Sequence, residues 1–116
     1  MSDARDPHHA DATRKQLIDL FLRRTQAEVE RMRRNVPALI SNDTVAWQEI
    51  RFHAQRIAGE AERLDLGVLA ACARELAKLA DERFAGATLD APFLLSTTSA
   101  METVALALNE LFRAQH

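Results

Sequence analysis

Few side chains in this sequence can do chemistry, and their spacing narrows the choice further. The candidates are His53 and Gln55, two residues apart in WQEIRFHAQRIAGEAERLDLG (Trp47 to Gly67), the pair His8 and His9 near the N-terminus, and the single cysteine, Cys72. An imidazole is a nucleophile near neutral pH and can also bind metal. A glutamine amide offers hydrogen-bond donors and an acceptor but no nucleophilic lone pair, because its nitrogen is conjugated to the carbonyl. His8 and His9 have no third ligand at a useful spacing, so they are read as part of a solvated tail and no metal site is expected. Cys72 lies in an apolar helical run with no partner for an intrachain bridge, and is read as core in a reducing compartment.

The element that must position His53 and Gln55 is a helix. Trp47, Ile50, Ala54, Ile57, Ala61 and Leu64 recur at alternating spacings of three and four, one apolar stripe with the period of a bundle seam. The opposite face carries Gln48, Arg51, Phe52, Gln55, Ala58, Gly59 and Glu62, and is expected to meet a partner. Gly59 stands out, since glycine inside a helix costs about 1 kcal/mol relative to alanine. Two readings fit it: a notch that lets another surface reach position 55, or close packing against a neighbouring helix. Two helical residues lie about 200° apart in azimuth, so His53 points nearly away from the face of Gln55 and is expected to be a packed or half-buried structural residue.

This stretch resembles the histidine-containing phosphotransfer (HPt) domain, a four-helix bundle that relays phosphoryl groups in two-component signalling. The family pattern runs roughly A-H-x-L-K/A-G-S-A-x-x-L-G, followed by an amphipathic helix rich in alanine and leucine. Here the chain reads A-Q-R-I-A-G-E-A-E-R-L-D, with Ala54, Ile57, Ala58, Gly59, Ala61 and Leu64 in register, then GVLAACARELAKLADE. The resemblance implies that Gln55 occupies the phospho-acceptor position, that Ala58 stands where many members have lysine, and that Asp65 replaces a glycine. With no acceptor histidine, the expected function is that of a pseudo-HPt domain, which binds a response-regulator receiver or a histidine kinase without carrying phosphate and uses no cofactor. Two alternatives stay open. An active phosphotransferase would need His53 as acceptor, or Gln55 to be an engineered replacement for histidine; a structural or oligomerisation bundle would use Phe52 in a self-association patch.

The remainder of the chain supplies the bundle. Its 116 residues are one domain's length, and 47% hydrophobic with 28% charged residues is an ordinary globular composition. Three glycines, three prolines and no tyrosine leave little turn or strand vocabulary, so the expected class is all-α, an antiparallel up-down four-helix bundle over residues 11–116 behind a disordered tail over 1–10. Fifteen basic against seventeen acidic residues, a formal net charge of −2, argue against a nucleic-acid binder. No signal peptide is visible and no apolar run is read as approaching the roughly 20 residues of a membrane span, so a soluble, cytoplasmic protein is expected.

The first helix is expected from about Asp11, with Leu17, Ile18, Phe21, Leu22, Thr25, Val29, Met32 and Val36 inward and Arg23, Arg24, Glu28, Glu30, Arg31, Arg33 and Arg34 forming a solvated face of interleaved charge. Pro37 interrupts it or starts a last turn through Leu39 and Ile40. Asp43 is expected to cap a second helix, Thr44 to Arg63, and Asp65 a third, ending near Phe84 with Gly86 at its terminus. The final helix is expected to start at Asp90, with Pro92 in its first turn, or afresh at Ser99; continuous apolar spacing from Leu94 to Leu111 favours the single long helix.

Overall fold

A computed structural model describes residues 7–115, with side chains from residue 11 onward, and among these residues the secondary structure is helical throughout, with no strand. Five helices follow one another: α1 (Pro7–Arg34), α2 (Val36–Ile40), α3 (Thr44–Arg63), α4 (Gly67–Phe84) and α5 (Ala91–Gln115). The backbone of α1 is already helical at Pro7, ahead of the expected start at Asp11, so residues 7–10 of the tail expected over 1–10 are helix instead, and residues 1–6 lie outside the described residues. Pro37 sits in the first turn of α2, which is a helical turn of its own and makes the count five where four were expected.

One apolar cluster takes residues from all five helices, including Phe21, Leu22 and Met32 of α1, Leu39 of α2, Trp47, Ile50 and Ile57 of α3, Leu69 and Leu76 of α4, and Met101, Val104 and Leu108 of α5. The most extensive contact is between α3 and α4, followed by α4 with α5 and α5 with α1, whereas α1 meets α3 more lightly. The alanine content of the first pair accounts for the order. Ala54, Ala58 and Ala61 are buried on α3 and Ala70, Ala73 and Ala77 on α4, and side chains this small let two helix axes approach closely. The inward stripe of α1 departs from expectation at Leu17, which is 52% exposed.

The helix ends follow local chemistry. Asp43 caps α3 through Oδ1, which accepts a hydrogen bond from the Val45 backbone N–H at 2.9 Å, and the Asp90 Oδ1 accepts one from Phe93 N–H at 2.9 Å at the start of α5. The long α5 is therefore the one that starts at Asp90, and Ser99 lies inside it. By length and composition α5 could also cross a membrane, contrary to the expectation that no run qualifies, with a mean hydropathy of 1.2 over its best window. Thr97, Met101, Val104, Ala105 and Leu108 of this helix are buried in the core.

Three termini share one device. After α2, α3 and α4 the chain turns through Asn42 (φ 60°), Asp65 (φ 60°) and Gly86 (φ 105°), each in the left-handed region. The N–H groups of Asp43, Leu66 and Ala87 reach back five residues to the carbonyls of Ala38, Ala61 and Glu82 at 2.9, 2.8 and 2.9 Å, the bond that defines a Schellman stop. Asp65 is therefore not the cap expected for α4, whose N-terminal flank is Leu66 with no side-chain cap. It closes α3, and its left-handed backbone is the conformation that glycine adopts without steric cost and that Asp and Asn tolerate better than other residues. Replacing Asp65→Gly should accordingly raise the unfolding free energy by about 0.5–1 kcal/mol, and Asp65→Val should lower it, both read from urea denaturation midpoints.

Candidate functional site

The outer face of α3 is a straight row. Val45, Gln48, Phe52, Gln55, Gly59 and Glu62 follow at spacings of three and four, and all are exposed except Gly59, which is half-buried. Val45 and Phe52 leave large apolar surface in water, at 59% and 62% exposure, while Ala54 and Ile57 on the inner face are fully buried. Val45 was not singled out by sequence reasoning, although it lies one helical turn before Gln48 on the same line.

Gly59 has open space where a side chain would begin: a Cβ built there meets nothing within 4 Å. Of the two readings of this glycine, helix packing has no atom to explain it. Helical side chains lean toward the N-terminus and cover the turn before their own Cα, so a long side chain at 59 would lie over position 55, four residues earlier. The glycine thus leaves Gln55 uncovered.

Two of the residues expected on the free face are placed differently. Ala58 is only 6% exposed and belongs to the seam with α4, whose close approach covers this border position of the stripe. Arg51 is half-buried and tethered to α4, its guanidinium 3.7 Å from Asp81 and 4.7 Å above the Phe84 ring, an arrangement that combines charge with cation–π attraction.

The surroundings of Gln55 include residues that sequence reasoning missed. A shallow groove between α3 and α4 is lined by Gln55 and Ala58 on one side and by Arg74, Ala77, Lys78 and Asp81 on the other. Arg74, Lys78 and Asp81 are spaced by four and three along α4, a periodicity visible in the sequence, but only the packing of α4 on α3 shows that this row borders Gln55. Arg74 pairs with Glu62 at 2.6 Å and Asp81 with Arg51, whereas Lys78 has no carboxylate partner among the described residues. The groove therefore presents an amide, two methyl groups and a surplus ammonium. It can hold an acceptor-rich or anionic group by hydrogen bonds and charge, and it contains nothing that attacks phosphorus.

His53 faces the other way. Its ring is largely covered, with 12% side-chain exposure, and Nδ1 lies 2.9 Å from Glu28 Oε2 on α1. Glu28 also pairs with Arg56, Arg56 with Glu60 at 2.6 Å, and Glu60 with Arg24, so a half-buried chain of charges ties α1 to α3 behind the outer face. With the Glu28 carboxylate already balanced by Arg56, the neutral Nδ1–H tautomer of His53 donates to it. Burial pulls the His53 pKa below its usual value, Glu49 acts against this and Arg31 adds to it. His53 is thus the packed structural residue that its azimuth implied, and its tether engages a ring nitrogen.

No group of three potential metal ligands is gathered among the described residues, and the side chains of His8 and His9 lie outside them. No family model, curated protein or solved structure matches this chain.

The His53 environment fixes the sign of a pH effect. A folded-state pKa below the unfolded value of about 6.5 means that acid favours the unfolded chain, so stability present above that pH is lost as pH falls through the folded value. Wild-type protein should lose more stability between pH 7 and pH 5 than His53→Gln, whose amide can still donate to Glu28 but does not titrate. Parallel urea midpoints for the two proteins across that range would contradict this assignment.

Proposed function

We propose that this chain is a pseudo-HPt module, an antiparallel up-down four-helix bundle that docks on a response-regulator receiver or a histidine kinase in the cytoplasm and carries no phosphate. The bundle reading is supported by the cycle of contacts α1, α5, α4, α3 and by the tight stops that join α3 to α4 and begin the link from α4 to α5. The observation that carries the functional reading is the environment of Gln55. It stands exposed on α3 at the register of the family's acceptor, with Ala54 and Ile57 buried beneath it and open space at Gly59 four residues on.

The apolar surface of Val45 and Phe52 gives a docking partner area to cover, and Gln48 and Gln55 give it hydrogen bonds to make. The same register supports silence in the relay. Gln55 has no nucleophile, and His53, the only other candidate near it, is covered and tethered to Glu28. Arg51 and Arg56, cations close in sequence, are engaged by Asp81 and by Glu28 and Glu60, which leaves the α4 side of the groove as the source of positive charge beside Gln55.

The test is phosphoryl transfer from a radiolabelled receiver. The wild-type chain should take no acid-labile label, while Gln55→His should accept a measurable fraction from a cognate receiver, with the scaffold supplying position and the new imidazole supplying chemistry. Labelling of the wild-type chain that disappears in His53→Ala would overturn the silent reading. A folded, receiver-binding Gln55→His protein that takes no label would show that more than the acceptor has been lost.

A further inference from the structure

We infer that the groove beside Gln55 makes docking selective for the phosphorylated form of the receiver, an inference that rests on the receiver-docking reading above. Its electrostatics carry the argument. The groove is lined by Arg74, Lys78 and Asp81 from α4 and by Gln55 from α3. Glu62 is matched by Arg74 at 2.6 Å, and Asp81, the carboxylate in the groove lining, by Arg51 at 3.7 Å, while Glu75 and Glu82 flank Lys78 on α4 outside the lining. Lys78 is left over, exposed and without a carboxylate partner among the described residues, and the groove carries one surplus positive charge.

The floor suits a compact group, because Ala58 and Ala77 put only methyl groups between the polar walls and Gly59 adds nothing above them. Gln55 contributes two amide hydrogens, which are donors that a phosphoryl group, rich in acceptor oxygens and close to a dianion at neutral pH, can use. An unphosphorylated aspartate brings one negative charge and two oxygens to the same place. The phosphorylated form therefore gains both a charge-assisted hydrogen bond to Lys78 and contacts to the Gln55 amide that the bare carboxylate does not reach. Since Gln55 cannot attack phosphorus, the phosphoryl group is not transferred to this chain, and the docked receiver gives it up only to water.

Calorimetric titration separates this inference from the reading beneath it. Purified receiver domains from the source organism are titrated with the full chain, each with and without beryllofluoride, which mimics the aspartyl phosphate. Wild-type protein should bind the beryllofluoride form of its receiver at least fivefold more tightly. Lys78→Gln should bring that ratio down toward one, and Lys15→Gln, an exposed position on α1 outside the groove, should leave the ratio intact. Equal affinity for the two forms would overturn the selectivity and leave docking standing; binding to no receiver in either form would overturn the docking reading and the selectivity with it.

Discussion

The alanine seam between α3 and α4 is the constraint on which the rest of this structure depends. Ala54, Ala58 and Ala61 against Ala70, Ala73 and Ala77 bring the two helices close, and that closeness has two effects. It anchors α3 so that its opposite face can stay in water without loss of the helix, and it sets the α4 row of Arg74, Lys78 and Asp81 at the edge of that face. Larger side chains in the seam would widen the gap and carry the α4 charges away from Gln55. Methyl deletion offers no relief either, because glycine in these positions would cost helix stability at each step.

The second support comes from α1, which shares the apolar core with α3 and is also tied to it by charge. The chain Arg24, Glu60, Arg56, Glu28 and His53 lies on the side of α3 away from Gln55, and each carboxylate in it has at least one cationic partner. Such half-buried ion chains contribute modestly to stability, because desolvation offsets much of the attraction, but they fix geometry. Here they hold the rotation of α3 and so determine which residues look outward. The exposed Asp19–Arg23 pair along α1 and the Arg33–Glu102 pair linking α1 to α5 add less, as solvent screens them.

How far the sequence was legible varies with the range of the interaction. Helix spans were readable where a single residue decides them: Asp43 and Asp90 as caps, Pro37 as an interruption and Gly86 as a stop all depend on chemistry within a turn or two. Asp65 misled because aspartate serves equally at an N-cap and in the left-handed stop of the preceding helix, and only the bond from Leu66 N–H to Ala61 selects the second role. The burial of Ala54 and Ile57 and the exposure of Gln55 followed from periodicity. Ala58 did not, since its azimuth lies at the border of the stripe and its burial depends on how near α4 comes. The groove residues on α4 were hidden for the same reason: their periodicity is local, but their neighbourhood with Gln55 is tertiary. The exposure of Leu17 likewise depends on which neighbours reach that end of α1, which no local pattern records.

The row Gln48, Phe52, Gln55 and Gly59, with Lys78 beside it, stands at the centre of the functional account as a surface that binds without reacting. Backbone amide shift mapping addresses that claim directly: the isotope-labelled chain is titrated with a receiver domain that binds it, and the perturbed residues are located. The account predicts shifts concentrated at 48–62 on α3 and 74–81 on α4, with α1 and the C-terminal half of α5 unaffected. Shifts centred instead on the exposed Leu17 and Leu20 of α1, with the Gln55 face silent, would contradict it.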